Sequence, residues 1–237
     1  MNKILLYSGG MDSWLMDKLW NPDIKLYINL NGRYNKQEIE HLPEDVIIEN
    51  LDLSKWERQD RILPLRNLYL CMLATNYADK DGCEIMLGAT AGDRVLDKSY
   101  EFADKTSDLL TYLYSSQWWN PTAKTIKICL DYKSYTKEDL LKEYLNQGGA
   151  LEIAWKESFS CYEPDENGNV CMSCKPCFRK FISFAKLGYI DKNWLPTVIP
   201  YIEKEIIPLI KSGNYGRGEK EEKAILQVYE TYKNYSH

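Results

Sequence analysis

Short apolar runs alternate along the first half of the chain with longer segments whose apolar residues recur every three or four positions. Such runs predict buried strands, and the longer segments predict helices. The predicted strands cover 3–7, 24–30, 46–50, 84–88 and 125–130, and the predicted helices lie near 11–20, 35–42, 66–79 and 99–116 and from 135 onward, with Gly82 as a helix terminator. This alternation predicts an α/β fold with a doubly wound parallel sheet, in which ligands bind beyond the carboxyl ends of the strands.

The pattern changes at about residue 151. Irregular polar sequence is predicted through 169, followed by a cysteine cluster and a helix at about 175–187. Two further helices are predicted between 194 and 237, around the glycine-rich turn 212–218. We therefore predict three segments: a sheet domain at 1–150, a cysteine-bearing module at 151–190 and a C-terminal helical extension at 191–237.

The hexamer Ser-Gly-Gly-Met-Asp-Ser at 8–13 joins the first predicted strand to the first predicted helix. In a strand-loop-helix unit, backbone N–H groups and the helix N-terminus converge on an anion, which predicts a phosphate site. The hexamer lacks the Lys-Ser/Thr ending of a Walker A motif and the third glycine of a dinucleotide fingerprint. The alternative is a tight Gly9-Gly10 turn whose serines cap the helix.

Composition and charge limit the class of protein. Hydrophobic residues make up 44% of the 237 residues and charged residues 27%, which is typical of a globular protein with one main domain. The net charge of -5 argues against general affinity for nucleic acid. We expect a cytosolic, cytoplasmic protein, because no apolar stretch approaches the ~20 residues that span a bilayer and the N-terminus leads into a strand.

The seven cysteines fall into two groups. In a reducing compartment, cysteines scattered through apolar segments are expected to be buried thiols, as we predict for Cys71, Cys83 and Cys129. The other four lie within 17 residues, spaced Cys-x9-Cys-x2-Cys-x2-Cys: Cys161, Cys171, Cys174 and Cys177. Four thiolates at this spacing predict a closed, structural zinc site. An iron-sulfur cluster is the alternative, because the last three cysteines match most of a ferredoxin-type run.

The hexamer resembles the pyrophosphate loop of ATP pyrophosphatases, which split ATP between its α- and β-phosphates. Together with the cysteine cluster, it makes the chain similar to the QueC family of 7-cyano-7-deazaguanine synthases over about residues 3–185. The other residues that carry the resemblance are, in chain order, Gly32-Arg33 with Glu38, Pro64-Leu65-Arg66-Asn67, Gly88 with Asp93, Thr136-Lys137-Glu138, Ser158-Phe159-Ser160-Cys161-Tyr162 and Arg179.

The chain departs from the family pattern at two places. Val95-Leu96-Asp97-Lys98 stands where the family has Tyr-Pro-Asp-Cys, and Cys171-Met172-Ser173-Cys174 lacks the glycine of the family's Cys-Gly-x-Cys. The first departure leaves open which substrate is used or which product is formed. The second concerns only the metal loop.

The resemblance implies an adenine nucleotide alpha-hydrolase-like fold with an appended four-cysteine zinc module and C-terminal helices. It implies a ligase of queuosine biosynthesis that uses ATP to convert 7-carboxy-7-deazaguanine and ammonia into 7-cyano-7-deazaguanine, through an acyl adenylate and an amide. The implied cofactors are ATP, Mg²⁺ and Zn²⁺. The implied assembly is a homodimer that requires neither membrane nor nucleic acid.

Roles for individual residues also follow from the resemblance. The residues implied to bind the ATP phosphates and their Mg²⁺ are Ser8, Gly9, Gly10, Met11, Asp12 and Ser13. The residues implied to be catalytic are Asp12, Lys137 and Arg66, and those implied to contact the deazapurine or nucleotide are Asn67, Asp93 and Asp97. An arginine at a helix start opposes the helix dipole, which supports a functional reason for Arg66.

Other functions stay open at the level of sequence. A family variant would stop at 7-amido-7-deazaguanine or adenylate another carboxylate, as the altered segment 94–99 suggests. A tRNA thiolation enzyme or a zinc-ribbon nucleic-acid binder would use the cysteines for RNA. The net acidity and the lack of a dense Lys/Arg stripe near the cysteines disfavour the binder, and the cysteine order disfavours thiolation. A ligase predicts turnover with small molecules alone.

Overall fold

Five short strands form one parallel sheet in the computed structural model, which describes residues 1–33, 35–60 and 62–235. The strands are β1 Asn2–Leu6, β2 Ile24–Asn29, β3 Val46–Asn50, β4 Gly82–Met86 and β5 Thr125–Cys129, in the order β3-β2-β1-β4-β5. Ile4 and Leu5 of the central strand are completely buried. A continuous apolar run is what a strand covered on both faces requires, so the predicted parallel α/β sheet is confirmed.

Four helices connect and cover these strands: α1 Met11–Trp20, α2 Asn35–Ile39, α3 Arg66–Ala74 and α4 Tyr100–Leu113. The chain first moves from β1 outward to β3, then crosses back to β4 and β5. Because crossovers between parallel strands are right-handed, this reversal places α1 and α2 on one face of the sheet and α3 and α4 on the other. One hydrophobic cluster accordingly joins Ile4, Ile85 and Ile126 to Leu70 of α3 and Leu110 of α4.

The reversal of direction occurs between β1 and β4. Strand β1 pairs with β2 on one side and with β4 on the other. When the loops after two neighbouring strands run in opposite directions, a crevice opens at the carboxyl ends of those strands. Open α/β sheets bind ligands in this crevice. The hexamer 8–13 follows β1 and the segment 87–99 follows β4, so both border this crevice.

The chain divides into two compact units, Met1–Thr136 and Lys137–His237. The second unit contains α5 Lys137–Asn146, α6 Leu151–Glu157, α7 Lys175–Ala185, α8 Leu195–Tyr201, a π-helical turn at Ile202–Ile206, α9 Ile207–Lys211 and α10 Glu219–Tyr232. Phe178, Phe181 and Phe184 of α7 are almost completely buried. The predicted helices at 175–187 and on either side of the turn 212–218 are therefore present, and the three-segment division at 150 and 190 stays a prediction.

Two local predictions, at residues 151–157 and at Gly82, are wrong. Residues 151–157 form α6 instead of irregular structure: Ala154 and Trp155 are buried, and Lys156 pairs with Glu152 across one turn. Gly82 begins β4 instead of ending a helix, and that strand starts two residues before the predicted 84–88. A side chain on Gly82 is impossible because its Cβ would lie 1.8 Å from the carbonyl oxygen of Thr125 on β5.

The predicted helix 66–79 ends early. Helix α3 stops at Ala74 and continues as one 3₁₀ turn, Thr75–Tyr77, because the Thr75 hydroxyl donates to the carbonyl of Met72 at 2.7 Å. No helix of the described residues is long and apolar enough to cross a membrane.

Candidate functional site

The hexamer loop, residues 8–13, turns sharply between β1 and α1. Gly9 has φ +72°, a left-handed conformation that glycine adopts without strain. The buried Ser13 hydroxyl accepts from the Ser8 N–H at 3.2 Å and donates to the carbonyl of Gly10 at 3.0 Å. Ser13 thus closes the loop on itself, which pre-forms its backbone without any ligand.

The N-terminus of α1 opens directly into this loop. The first backbone bond of the helix runs from the Trp14 N–H to the carbonyl of Gly10, at 2.9 Å. The backbone N–H groups of Met11, Asp12 and Ser13 precede that bond, at the helix end that carries the positive part of the dipole. A loop of this shape can hold a phosphate, and Asp12 stands in its first turn as a possible Mg²⁺ ligand.

The turn at residues 41 and 42 packs against the hexamer loop. A Cβ placed on Gly9 would lie 3.6 Å from Leu42 Cδ2 and 3.7 Å from the carbonyl oxygen of His41. Helix α2, which precedes these residues, follows β2. The loop is therefore bordered on its β2 side by the turn that follows α2.

The start of α3 connects the two sides of the crevice. Asn67, 7% exposed, donates from Nδ2 to the carbonyl of Asp97 at 3.2 Å, so it holds the segment after β4. The exposed Arg66 lies close enough to Glu38 of α2 for its charge to lower the pKa of that carboxyl. Leu65 precedes them in a left-handed conformation, φ +59°, with 62% of its surface exposed. Strain of this kind in an exposed residue is concentrated at functional sites.

Asp93 has structural partners in the loop after β4. Its Oδ2 accepts from the Thr90 N–H at 3.0 Å and from Lys98 Nζ at 3.1 Å. Lys133 Nζ donates to the carbonyls of Thr90 and Asp93 at 3.1 and 2.6 Å. Asp93 therefore orders this loop, and its contact with a deazapurine stays a prediction, as does that of Asp97.

A polar cluster at the end of β2 was outside the residues assigned from the sequence. Glu38 Oε2 accepts from the Tyr27 hydroxyl at 2.8 Å and from Asn35 Nδ2 at 3.5 Å. Burial raises the pKa of Glu38, and Arg66 and the Tyr27 hydrogen bond partly offset this. Glu38 already contributed to the family resemblance, which was the signal that it has a role.

Lys137, also predicted to act on the phosphates, is the first residue of α5 and belongs to the second unit. Its role toward ATP stays a prediction.

The cysteine loop, residues 161–177, brings its four thiols together. The Sγ atoms of Cys161, Cys171, Cys174 and Cys177 all lie within 4.8 Å of one another. Zinc-sulfur bonds of ~2.3 Å place the corners of a tetrahedron about 3.8 Å apart, so the set fits a zinc ion bound by four thiolates. The N–H of Cys171 donates to Cys161 Sγ at 3.3 Å. The thiols hydrogen-bond one another, and these bonds lower the pKa of Cys174 and raise that of Cys177.

Met172 occupies the position where the sequence departs from Cys-Gly-x-Cys. Its φ is +57°, in the left-handed region. Glycine reaches this conformation without the clash that a Cβ makes with the following carbonyl oxygen. The structure therefore explains why glycine suits this position, and it shows that this chain accepts the strain.

A buried lysine supports the cysteine loop and was missed in the sequence. Lys180 is 5% exposed, and its Nζ donates to the carbonyls of Trp155 and Ser158 at 2.6 and 2.5 Å. The Nζ also lies 4.9 Å from the centre of the Trp155 ring. Lys180 thus caps the C-terminus of α6 and holds the chain that enters the cysteine loop. Burial lowers the pKa of Lys180 to about 8.

The three remaining cysteines are buried, as predicted. Cys71, Cys83 and Cys129 lie in the first unit with at most 2% of their surface exposed. Burial raises the pKa of each thiol to about 12. They act as small apolar residues and not as nucleophiles.

Comparison with known proteins supports one family. The model of the family described as "Queuosine biosynthesis protein QueC" matches residues 40–188, which include the cysteine loop and begin after the hexamer loop. Three curated relatives carry the name 7-cyano-7-deazaguanine synthase. The protein of Erythrobacter litoralis is 30% identical over 146 residues, which span 60% of this chain and 59% of the relative.

The other two relatives differ in coverage. The 7-cyano-7-deazaguanine synthase 1 of Colwellia psychrerythraea is 22% identical over 232 residues, 84% of this chain and 97% of the relative. The protein of Citrifermentans bemidjiense is 26% identical over 132 residues, 54% of this chain and 56% of the relative. No solved structure matches the chain. With a family match over more than half of its length, the chain belongs to the QueC family of queuosine biosynthesis proteins.

Proposed function

We propose that this protein is an ATP-dependent ligase that converts 7-carboxy-7-deazaguanine and ammonia into 7-cyano-7-deazaguanine. The observation that carries the proposal is the pre-formed hexamer loop at the crevice between β1 and β4, in a chain of the QueC family. The curated relatives' name supports the product. The loop supports the use of ATP.

The chemistry explains why ATP is needed twice. A carboxylate is a poor electrophile because oxide leaves badly, so the substrate oxygen attacks the α-phosphorus of ATP and releases pyrophosphate. Ammonia then attacks the acyl adenylate, AMP leaves with the oxygen, and a proton is lost to give the amide. A second ATP adenylates the amide oxygen, and loss of AMP and a proton forms the nitrile. Both activations release pyrophosphate at one loop.

The residues of the crevice have matching roles in this proposal. Backbone N–H groups of Met11, Asp12 and Ser13 and the dipole of α1 bind the phosphates and stabilise the charge that develops on pyrophosphate. Asp12 holds Mg²⁺, and Arg66 contributes positive charge. For Lys137 the role toward ATP rests on the family resemblance alone. Asn67 positions the segment that contains Asp97 by its hydrogen bond to the Asp97 carbonyl. In this proposal the Asp97 side chain faces the deazapurine.

The cysteine loop binds zinc in a structural role. Four sulfur ligands fill a tetrahedral site and leave no position for a substrate. When bound, zinc supplies folding free energy to a loop that lacks regular structure. An iron-sulfur cluster at the same thiols would instead give a coloured protein. We also propose that the protein is a homodimer, which sedimentation would show as twice the mass of one chain.

Mass spectrometry of the product tests the proposal. The protein is incubated with Mg-ATP, ammonia and 7-carboxy-7-deazaguanine. We expect the nitrile, together with AMP and pyrophosphate. Accumulation of the amide would favour the variant suggested by Val95-Leu96-Asp97-Lys98, and an untouched acid would overturn the proposal.

A further inference from the structure

The Glu38 cluster at the carboxyl end of β2 has no role in the proposed reaction so far. Both donors to Glu38, the Tyr27 hydroxyl and Asn35 Nδ2, reach Oε2. Among the described residues, none donates a hydrogen bond to Oε1. The carboxylate is therefore held in one orientation by one oxygen, and its other oxygen remains an available acceptor.

The helix that carries Glu38 and Asn35 leads into a turn beside the hexamer loop. The turn at His41 and Leu42, which follows α2, packs on Gly9, and the charge of Arg66 reaches Glu38. Arg66 is followed by Asn67, which binds the segment of Asp97 after β4. Glu38 thus stands on the β2 side of the crevice and Asp97 on its β4 side, with the start of α3 connecting them.

A carboxylate beside a phosphate loop repels phosphate, so Glu38 requires a ligand group of another kind. Hydroxyl groups are such ligands, because they donate hydrogen bonds and carry no charge. In doubly wound sheets that bind a nucleotide's phosphates after β1, the ribose extends toward β2, where an acidic residue accepts from its hydroxyls. Glu38 is an acidic residue of α2, the helix that follows β2, and β2 pairs with the strand that leads into the hexamer loop.

We infer that Glu38 accepts hydrogen bonds from the ribose hydroxyls of ATP, with Tyr27 and Asn35 as positioning residues. This inference rests on the proposed function, which places ATP at the hexamer loop. It adds an orientation: the nucleoside lies over β2, and the β4 side of the crevice remains for the deazapurine. Glu38 is then a specificity-determining residue for ribonucleotides.

Calorimetric titration with Mg-ATP, 2′-deoxy-ATP and 3′-deoxy-ATP tests the inference on the whole chain. The wild-type protein is expected to bind ATP at least about tenfold more tightly than one of the deoxy analogues, because a hydrogen bond to a charged group is lost. In Glu38→Ala the ratio of the two dissociation constants, that of the deoxy analogue over that of ATP, should fall to about twofold or less. The affinity for ATP should decrease, and the affinity for the deoxy analogue should stay the same. Glu38→Gln, which keeps the shape, should give an intermediate ratio.

Glu40→Ala is the matched control, because Glu40 is an exposed carboxylate two residues along the same segment. It should keep the wild-type ratio. Equal binding of ATP and both deoxy analogues by the wild-type protein would overturn the inference and leave the proposed function standing. Equal weakening of all three nucleotides in Glu38→Ala would also overturn it, because a metal ligand or a purely structural residue does not distinguish riboses. Absence of any nucleotide binding would overturn the proposed function itself.

Discussion

The hexamer loop and the cysteine loop are both candidate ligand sites, and the protein holds their atoms in place by opposite means. The hexamer loop is short, follows strand β1, whose Ile4 and Leu5 are completely buried, and is closed by the Ser13 hydroxyl. The cysteine loop contains no helix or strand between Cys161 and Cys174, and four thiols converge at its centre. The first loop depends on the hydrophobic core beneath it, whereas the second depends on its own ligand atoms.

The two loops also differ in which residue occupies the left-handed backbone position. In the hexamer loop the position at φ +72° is glycine, and in the cysteine loop the position at φ +57° is Met172. A side chain in this conformation costs about 1–2 kcal/mol. A structural zinc ion contributes ~10 kcal/mol or more to folding, so a metal-bound loop can accept a strain that a loop without a metal would not.

Of the changes considered for the two loops, removal of one thiol should have the largest effect on ligand binding and stability. Cys174→Ser should weaken zinc binding by more than about 100-fold and unfold the cysteine loop, because a direct ligand contributes more than the outer-shell residues whose loss costs 10–100-fold. Metal analysis and thermal unfolding measure both effects, with Cys83→Ala in the first unit as control. Zinc retained at full stoichiometry in Cys174→Ser would contradict the ligand set.

Removal of the Asp12 carboxylate should affect chemistry and leave stability intact. Asp12→Ala should reduce pyrophosphate release by about 100-fold or more, the effect of losing one charge-stabilising group at a reacting centre. The melting temperature should stay near that of the wild type, because hydrophobic burial holds β1. Asp104→Ala, an exposed carboxylate on α4, is the control. Unchanged pyrophosphate release in Asp12→Ala would show that the hexamer loop is not the ATP site.

Exchange of the left-handed residues tests the comparison directly. Met172→Gly should raise the free energy of unfolding by about 0.5–1 kcal/mol, the relief of strain minus the entropy that glycine loses on folding. Gly9→Ala should lower it by a similar amount and also slow pyrophosphate release. A Cβ on Gly9 meets no atom closer than 3.6 Å, so backbone strain accounts for the effect. Urea unfolding of both variants measures it, and a destabilised Met172→Gly would refute the role of strain in the cysteine loop.

The smallest expected effect concerns Glu38 and pH. Because burial raises its pKa, the folded protein holds this proton to higher pH than the unfolded chain does, and wild-type stability falls as pH rises between the two pKa values. Glu38→Gln removes this titration, so its melting temperature should exceed that of the wild type at pH 7. The difference should disappear below about pH 4, where both states are protonated. A constant difference at every pH would exclude this explanation.

Much of the fold could be predicted from the chain alone. The strands near 3–7 and 24–30 were visible because a buried parallel strand needs an apolar run. The edge strands at 46–50 and near 125–130 were visible from their β-branched residues, although Ile47 and Ile48 of β3 are exposed. The cysteine set was visible because two-residue gaps present thiols to one ion. Helix α6 was not visible, because its seven residues are short for a helical pattern and its buried Trp155 depends on Lys180.

Part of the candidate site could not be predicted from the local sequence pattern. Asp93 was predicted to face a substrate, and only the fold showed that Thr90, Lys98 and Lys133 engage it in ordering the loop. The contact of Asn67 with Asp97 and that of Tyr27 with Glu38 join residues far apart in sequence or on different elements. Such contacts leave no periodic signal.

The sequence by itself determined the parallel α/β sheet, the glycine turn after β1 and the cluster of four thiols. Each of these depends on short-range chemistry: the burial of an apolar run, the conformational freedom of glycine, and the spacing of sulfur ligands. Only the tertiary structure decided the strand order, the crevice between β1 and β4, and the neighbours of Glu38 and Lys180. These features depend on how distant segments pack, because the partner that makes a buried charge tolerable lies elsewhere in the chain.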